Sequence, residues 1–108
     1  MINELLGRVK VPKTVKPLHI RDRKPLELIV GGGYYVSFGS NNAYPCTLTG
    51  FEPEKDTIYI SIPMKPLSKK GFRKMDGSIS HDWAAEHFLF PNEIGLTPEK
   101  AVENTITL

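Results

Sequence analysis

Cysteine is nearly absent from this chain of 108 residues, with Cys46 standing alone. A single thiol closes no intramolecular disulfide and builds no cysteine-based metal cage, so a reducing, cytoplasmic setting is the expectation. Long apolar runs are missing as well. Met1 to Val11 interleaves Asn3, Glu4, Arg8 and Lys10 among its apolar residues, which excludes the apolar core of a signal peptide. No other window approaches the roughly 20 residues of a membrane helix. A soluble protein with no membrane partner is expected. Internal repeats and low-complexity tracts are also lacking, and tryptophan occurs once, at Trp83.

Turn-formers are plentiful. Nine glycines and nine prolines in so short a chain favour short strands and many turns over long helices. One domain of this length buries enough surface to fold without disulfides or metal.

Charge is balanced overall, at net +2, but unevenly placed. Residues 1–25 carry Arg8, Lys10, Lys13, Lys16, Arg21, Arg23 and Lys24 against Glu4 and Asp22. Residues 64–80 carry Lys65, Lys69, Lys70, Arg73 and Lys74 against Asp76. The acids gather in residues 26–63 and 81–108. Such blocks either steer an anionic partner to one side or face each other across the fold.

Periodicity predicts the elements. Ile2, Leu5, Leu6 and Val9 have the spacing of a short amphipathic helix. Pro12, Pro17 and Pro25 then forbid a helix and leave residues 10–25 as a mobile basic connector, so that residues 1–25 read as a helix or arm and 26–108 as the domain. Leu26–Val30 reads as a first strand ending at Gly31-Gly32-Gly33. Tyr34, Val36 and Phe38 alternate as a second, Gly39-Ser40-Asn41-Asn42 supplies a hairpin turn, and Tyr44, Cys46 and Leu48 face one way on the next strand. Pro45 implies an edge or a bulge there. After a turn at Glu52–Asp56, Ile58, Ile60 and Ile62 alternate with Thr57, Tyr59 and Ser61, and are expected in the core with Val36, Phe38 and Leu48. Met64–Lys74 is a long basic loop, Asp76-Gly77 the turn of a small hairpin, and Glu86–Phe90 a last core strand. Thr97-Pro98-Glu99 starts a helix over about 98–104, and Thr105–Leu108 closes the chain as a short strand.

Candidate chemistry is sparse. His81, Asp82, Glu86 and His87 are metal-ligand types, but the histidines are six apart and meet no zinc spacing, so no metal or cofactor is expected. Cys46 paired with His81 or His87 would be a nucleophile only if accessible, and its phase buries it. Gly31–Gly33 is followed by no Lys-Ser/Thr and opens no helix, so it reads as a tight turn or bulge and not a phosphate loop. Trp83 reads equally as core anchor or binding residue. The remaining signal is basic and aromatic. Lys65, Lys69, Lys70, Phe72, Arg73 and Lys74, with Arg21, Arg23 and Lys24 of the arm, combine cations for phosphates with a ring for stacking. Tyr35 and Tyr59, expected to be exposed, offer instead a protein-binding face, as does a free edge near Pro45.

The succession Tyr34-Tyr35-Val36-Ser37-Phe38, Tyr44-Pro45-Cys46-Thr47-Leu48-Thr49-Gly50-Phe51 and Thr57-Ile58-Tyr59-Ile60-Ser61-Ile62-Pro63 resembles SH3-like small barrels of the Tudor type over residues 28–63. The whole chain also resembles small bacterial proteins of unassigned function. The resemblance implies an all-β fold: a partly open SH3-like barrel of five to six strands, with a short N-terminal helix or arm and a C-terminal helical turn. The stretch departs from the readers of methylated lysine or arginine in lacking a clear acidic residue beside clustered aromatics. The function expected is a non-catalytic binding module for nucleic acid through the basic loop and arm, with a protein–protein interaction module or accessory subunit, using an exposed aromatic face or free strand edge, as the alternative.

Overall fold

The computed structural model describes residues 4–24, 26–65, 72–73, 75–80 and 84–106. Lys69, Lys70, Lys74, His81, Asp82 and Trp83 lie outside the described residues, as do Ile2 and the end of the proposed closing strand. The fold is mostly β, an open antiparallel sheet with one short C-terminal helix.

Its centre is the hairpin expected from the isoleucine alternation. Strand β4 (Asn42–Glu52) and strand β5 (Thr57–Lys65) pair antiparallel with Leu48 opposite Ile60 and Glu52 opposite Thr57. They are joined by a 3₁₀ turn at Pro53–Lys55 whose exit, Asp56, takes a left-handed φ of 49°. Strand β3 (Gly33–Val36) adds to β4 with Val36 opposite Tyr44. Strand β8 (Ala84–Leu89) adds to the far side of β5 with Ile60 opposite His87, and strand β9 (Ile94–Gly95) edges β3. Strands β6 (Phe72–Arg73) and β7 (Ile79–Ser80) form a separate two-stranded ribbon.

Two prolines decide what the N-terminus does. The β4–β5 register sets Thr47 against Ser61, and its continuation would bring Pro45 level with Pro63. Neither can donate to the ladder, so the pairing ends there. The N-terminal chain fills the gap. Strand β1 (Glu4–Leu5) pairs with Lys65 and Met64, the Leu6 N–H donates to the Pro63 carbonyl at 2.8 Å, and strand β2 (Val9–Lys10) pairs with Ala43 and Asn42. Gly7, at φ 76°, lies so close to Pro45 that an added Cβ would sit 2.5 Å from its ring. The helix expected over Ile2–Val9 is therefore replaced by two strands: two turns of helix are marginal alone, and open strand edges offer the same backbone better partners.

One face of the sheet buries Tyr34, Val36, Cys46, Leu48, Ile58, Ile60, Ile62, Leu89 and Ile94, with Ile106 packed among them and Phe38 half-buried at the margin. The run Leu26–Val30 is not a strand. Leu26 and Leu28 pack on this core, while the Tyr34 hydroxyl donates to the Glu27 carbonyl at 3.2 Å and accepts the Ile29 N–H at 2.9 Å. The sheet curls over its core: β3 and β8 stand three places apart, about 14 Å in a flat sheet, yet the Phe38 ring, just past β3, lies 5.0 Å from His87. β8 and β9 do not pair with each other among the described residues.

Helix α1 (Pro98–Glu103), capped by the Thr97 side chain, covers part of the opposite face. Ala101 and Val102 join Val11 and Ala43 in a second cluster, with Val15 and Tyr35 packed against it. The connector 11–24 is laid across this helix by specific hydrogen bonds: Asn41 Nδ2 donates to the carbonyls of Pro12 and Val15, and the Leu18 N–H donates to Glu103 O at 2.7 Å.

Candidate functional site

Alternation along β5 and β8 places a second set of side chains on the face away from the isoleucine core. Thr57, Tyr59, Ser61, Pro63 and Lys65 point outward from β5, and Ala84, Glu86 and Phe88 from β8. The register sets Tyr59 directly opposite Phe88 and Ser61 opposite Glu86. Phe88 is 77% exposed. Tyr59 is half-buried. Its ring packs over Gly50, where a Cβ would come within 3.3 Å of it, and its hydroxyl donates to the Glu52 carboxylate, which also holds Lys55 at 3.3 Å. The tyrosine hydroxyl, and after it Lys55, keep the Glu52 carboxyl below its ordinary range, and the same contact raises the Tyr59 phenol.

Phe88 stands between two depressions. The first, about 310 Å³, is lined by Thr49, Tyr59, Glu86 and Phe88 together with parts of Ile60 and His87. The second, about 190 Å³, is lined by Thr57, Phe88, Leu89, Phe90 and Glu93, where a Glu93 oxygen already accepts the Phe90 N–H at 2.9 Å.

The chain between β5 and β8 carries the basic block and the β6–β7 ribbon. At the ribbon's tip the Asp76 carboxylate accepts from the Ser78 N–H and hydroxyl, which hold it below its usual range, and Gly77 takes φ 88°. Arg73 and residues 75–79 are all exposed. Lys65 is exposed and in phase with Tyr59 on β5. Phe72 enters as a strand position of β6.

The other expected site residues are dispersed. Arg21 is exposed in a 3₁₀ turn, and Lys24 is exposed beside it. Arg23 is half-buried, its guanidinium donating to the carbonyls of Leu18 and Asn104, both at 3.2 Å. That places its charge at the carbonyl end of α1, a structural post that also suits the helix dipole. Tyr35 shares the outer face of the sheet with Tyr59, but the second cluster under α1 takes it up. Phe88, the most exposed ring of the face, was not singled out by sequence. Its run Ala84-Ala85-Glu86-His87-Phe88-Leu89 lacks clean alternation, and only pairing with β5 assigns its faces.

Burial pushes the Cys46 thiol up to about 12, leaving it protonated and unreactive at neutral pH. Glu86 and His87, adjacent on β8, point to opposite faces, with His87 against Phe38. Among the described residues no group of three His, Cys, Asp or Glu could hold a metal ion, and no helix is long and apolar enough to cross a membrane. A further cavity of about 420 Å³ lies between residues 18–26 and α1, where Leu18, Leu26 and Leu96 meet Lys24, Asp22 and Lys100. The chain matches no family model, no curated protein and no solved structure.

Proposed function

We propose that the protein is a non-catalytic module that binds single-stranded nucleic acid on the outer face of β5 and β8. The curled sheet is read as a partly open, SH3-like barrel. The observation that carries the proposal is the cross-strand pair Tyr59–Phe88 on an open sheet face, on the two strands that flank the basic block Lys65–Lys74. Bases stack on aromatic rings whatever their identity, and lysines and arginines alongside neutralise the phosphates. The ribbon β6–β7 places Arg73 in solvent, where a backbone can reach it. The test is fluorescence anisotropy of a labelled single strand at low salt with Phe88→Ala. Loss of one stacking ring should weaken binding by about 1–3 kcal/mol, and an unchanged affinity would contradict the proposal. A second reading rests on the 420 Å³ cavity, where Leu96 is 60% exposed: a peptide partner inserting an apolar side chain between residues 18–26 and α1. Under that reading Phe88→Ala is silent and Leu96→Asp abolishes binding.

A further inference from the structure

The polar groups that line the larger depression beside Phe88 are mostly spent. The Thr49 hydroxyl donates to the Tyr59 carbonyl at 3.1 Å, the Tyr59 hydroxyl donates to Glu52, and the His87 ring lies against Phe38. Glu86 is different. It is exposed, it is two residues from Phe88 on the same face of β8, and its carboxylate has no hydrogen bond or ion pair with any described residue. An ionised carboxylate only accepts hydrogen bonds, so whatever settles on Phe88 with an edge toward Glu86 must present a donor.

We infer that Glu86 gives this surface a base preference, selecting nucleobases with an exocyclic amino group and disfavouring those that present a carbonyl at the same position. The inference rests on the nucleic-acid reading above. Cytosine and uracil isolate the effect, because both are pyrimidines of nearly the same shape and stack alike on a ring. They differ at the edge: cytosine offers its N4 amino group, and uracil offers an O4 carbonyl that the carboxylate repels. Adenine, with its N6 amino group, groups with cytosine. Glu86 thus trades some electrostatic attraction for phosphates against discrimination at the base.

The experiment measures the affinity of the full chain for oligocytidylate and oligouridylate DNA strands of equal length at one salt concentration, with Glu86→Gln alongside. The wild type should favour the cytosine strand by about tenfold, in the range that one good edge contact supplies. In Glu86→Gln the preference should collapse to less than about threefold, because an amide donates as readily as it accepts. The salt dependence should stay parallel, since Glu86 makes no phosphate contact. Glu86 is exposed, so the variant should fold, and its retained affinity for the cytosine strand reports that it has. Equal wild-type affinities for the two strands would overturn the base preference and leave the binding reading standing, and a preference that survives Glu86→Gln would overturn the role of this carboxylate. No binding to either strand would overturn both.

Discussion

Gly95→Ala probes how closely helix α1 is docked on the sheet. Gly95 ends β9 opposite Tyr35, directly beneath the first turns of the helix. A Cβ built there would lie 2.6 Å from the Lys100 carbonyl carbon, 2.6 Å from the Ala101 nitrogen and 2.7 Å from the Lys100 Cβ. Two of these neighbours are backbone, so relief requires the helix itself to move. The helix carries Ala101 and Val102 into the second cluster, and its last carbonyls hold Leu18 and Arg23. Its displacement therefore loosens residues 11–24 at the same time. Overpacking of this kind costs about 1–3 kcal/mol, a sizeable share of the 5–15 kcal/mol typical of a small domain. Gly33→Ala is the control: it lies on β3 with nothing within 4 Å of the added carbon. Urea titration should show Gly95→Ala destabilised by that margin and Gly33→Ala within about 0.5 kcal/mol of the parent. Limited proteolysis should cut the Gly95→Ala variant faster between residues 12 and 24. Equal midpoints and equal cleavage for the two variants would refute the docking argument.

Ile60→Ala empties a fully buried position between Leu48 and His87 and should cost about 2–5 kcal/mol in a denaturant titration; a loss below about 0.5 kcal/mol would mean the strand phase is wrong. Cys46, buried and with its thiol at about 12, should resist iodoacetamide at pH 8 in the native protein and react once the chain is unfolded; rapid native labelling would contradict the burial. Glu52 has its carboxyl lowered in the fold by Tyr59, so its contribution is present above the ordinary carboxylate value of about 4.3 and is lost as pH falls through the lower folded value. The Tyr59 ring resonances should accordingly shift as pH falls below about 4.3 and stay constant from there to neutral pH, and Glu52→Gln should remove this acid transition.

Legibility from sequence followed the range of the interactions. Ile58, Ile60 and Ile62, and the run Tyr44, Cys46 and Leu48, declare their faces by alternation, and both faces are as expected. The Thr97-Pro98 helix start is equally local and equally plain. The N-terminus is not local: Ile2, Leu5, Leu6 and Val9 carry a helical spacing, but the demand comes from Pro45 and Pro63, far along the chain, whose missing donors open the gap that β1 and β2 fill. Residues 10–25 look mobile because their prolines forbid regular structure, while the bonds that fix residues 11–24 run to Asn41 and to the end of α1. Of the site, Tyr59 and Lys65 could be read from phase. Tyr35 shares their face, but sequence gives no sign that α1 lies on it. Phe88 became visible only when β5 set its register.

Salt dependence of single-strand binding bears most closely on the proposed function. Each phosphate neutralised on a single strand contributes a slope of about −0.7 in log K against log salt, so Lys65, Lys69, Lys70, Arg73 and Lys74 together set a ceiling of about −3.5. The proposed function predicts binding at low salt with a slope of about −2 to −3.5. Neutralising Lys69, Lys70, Arg73 and Lys74 to glutamine should reduce it to about −0.7 or less without lowering the unfolding midpoint. Binding that is absent at low salt, or whose slope is the same in the four-residue variant, would contradict it.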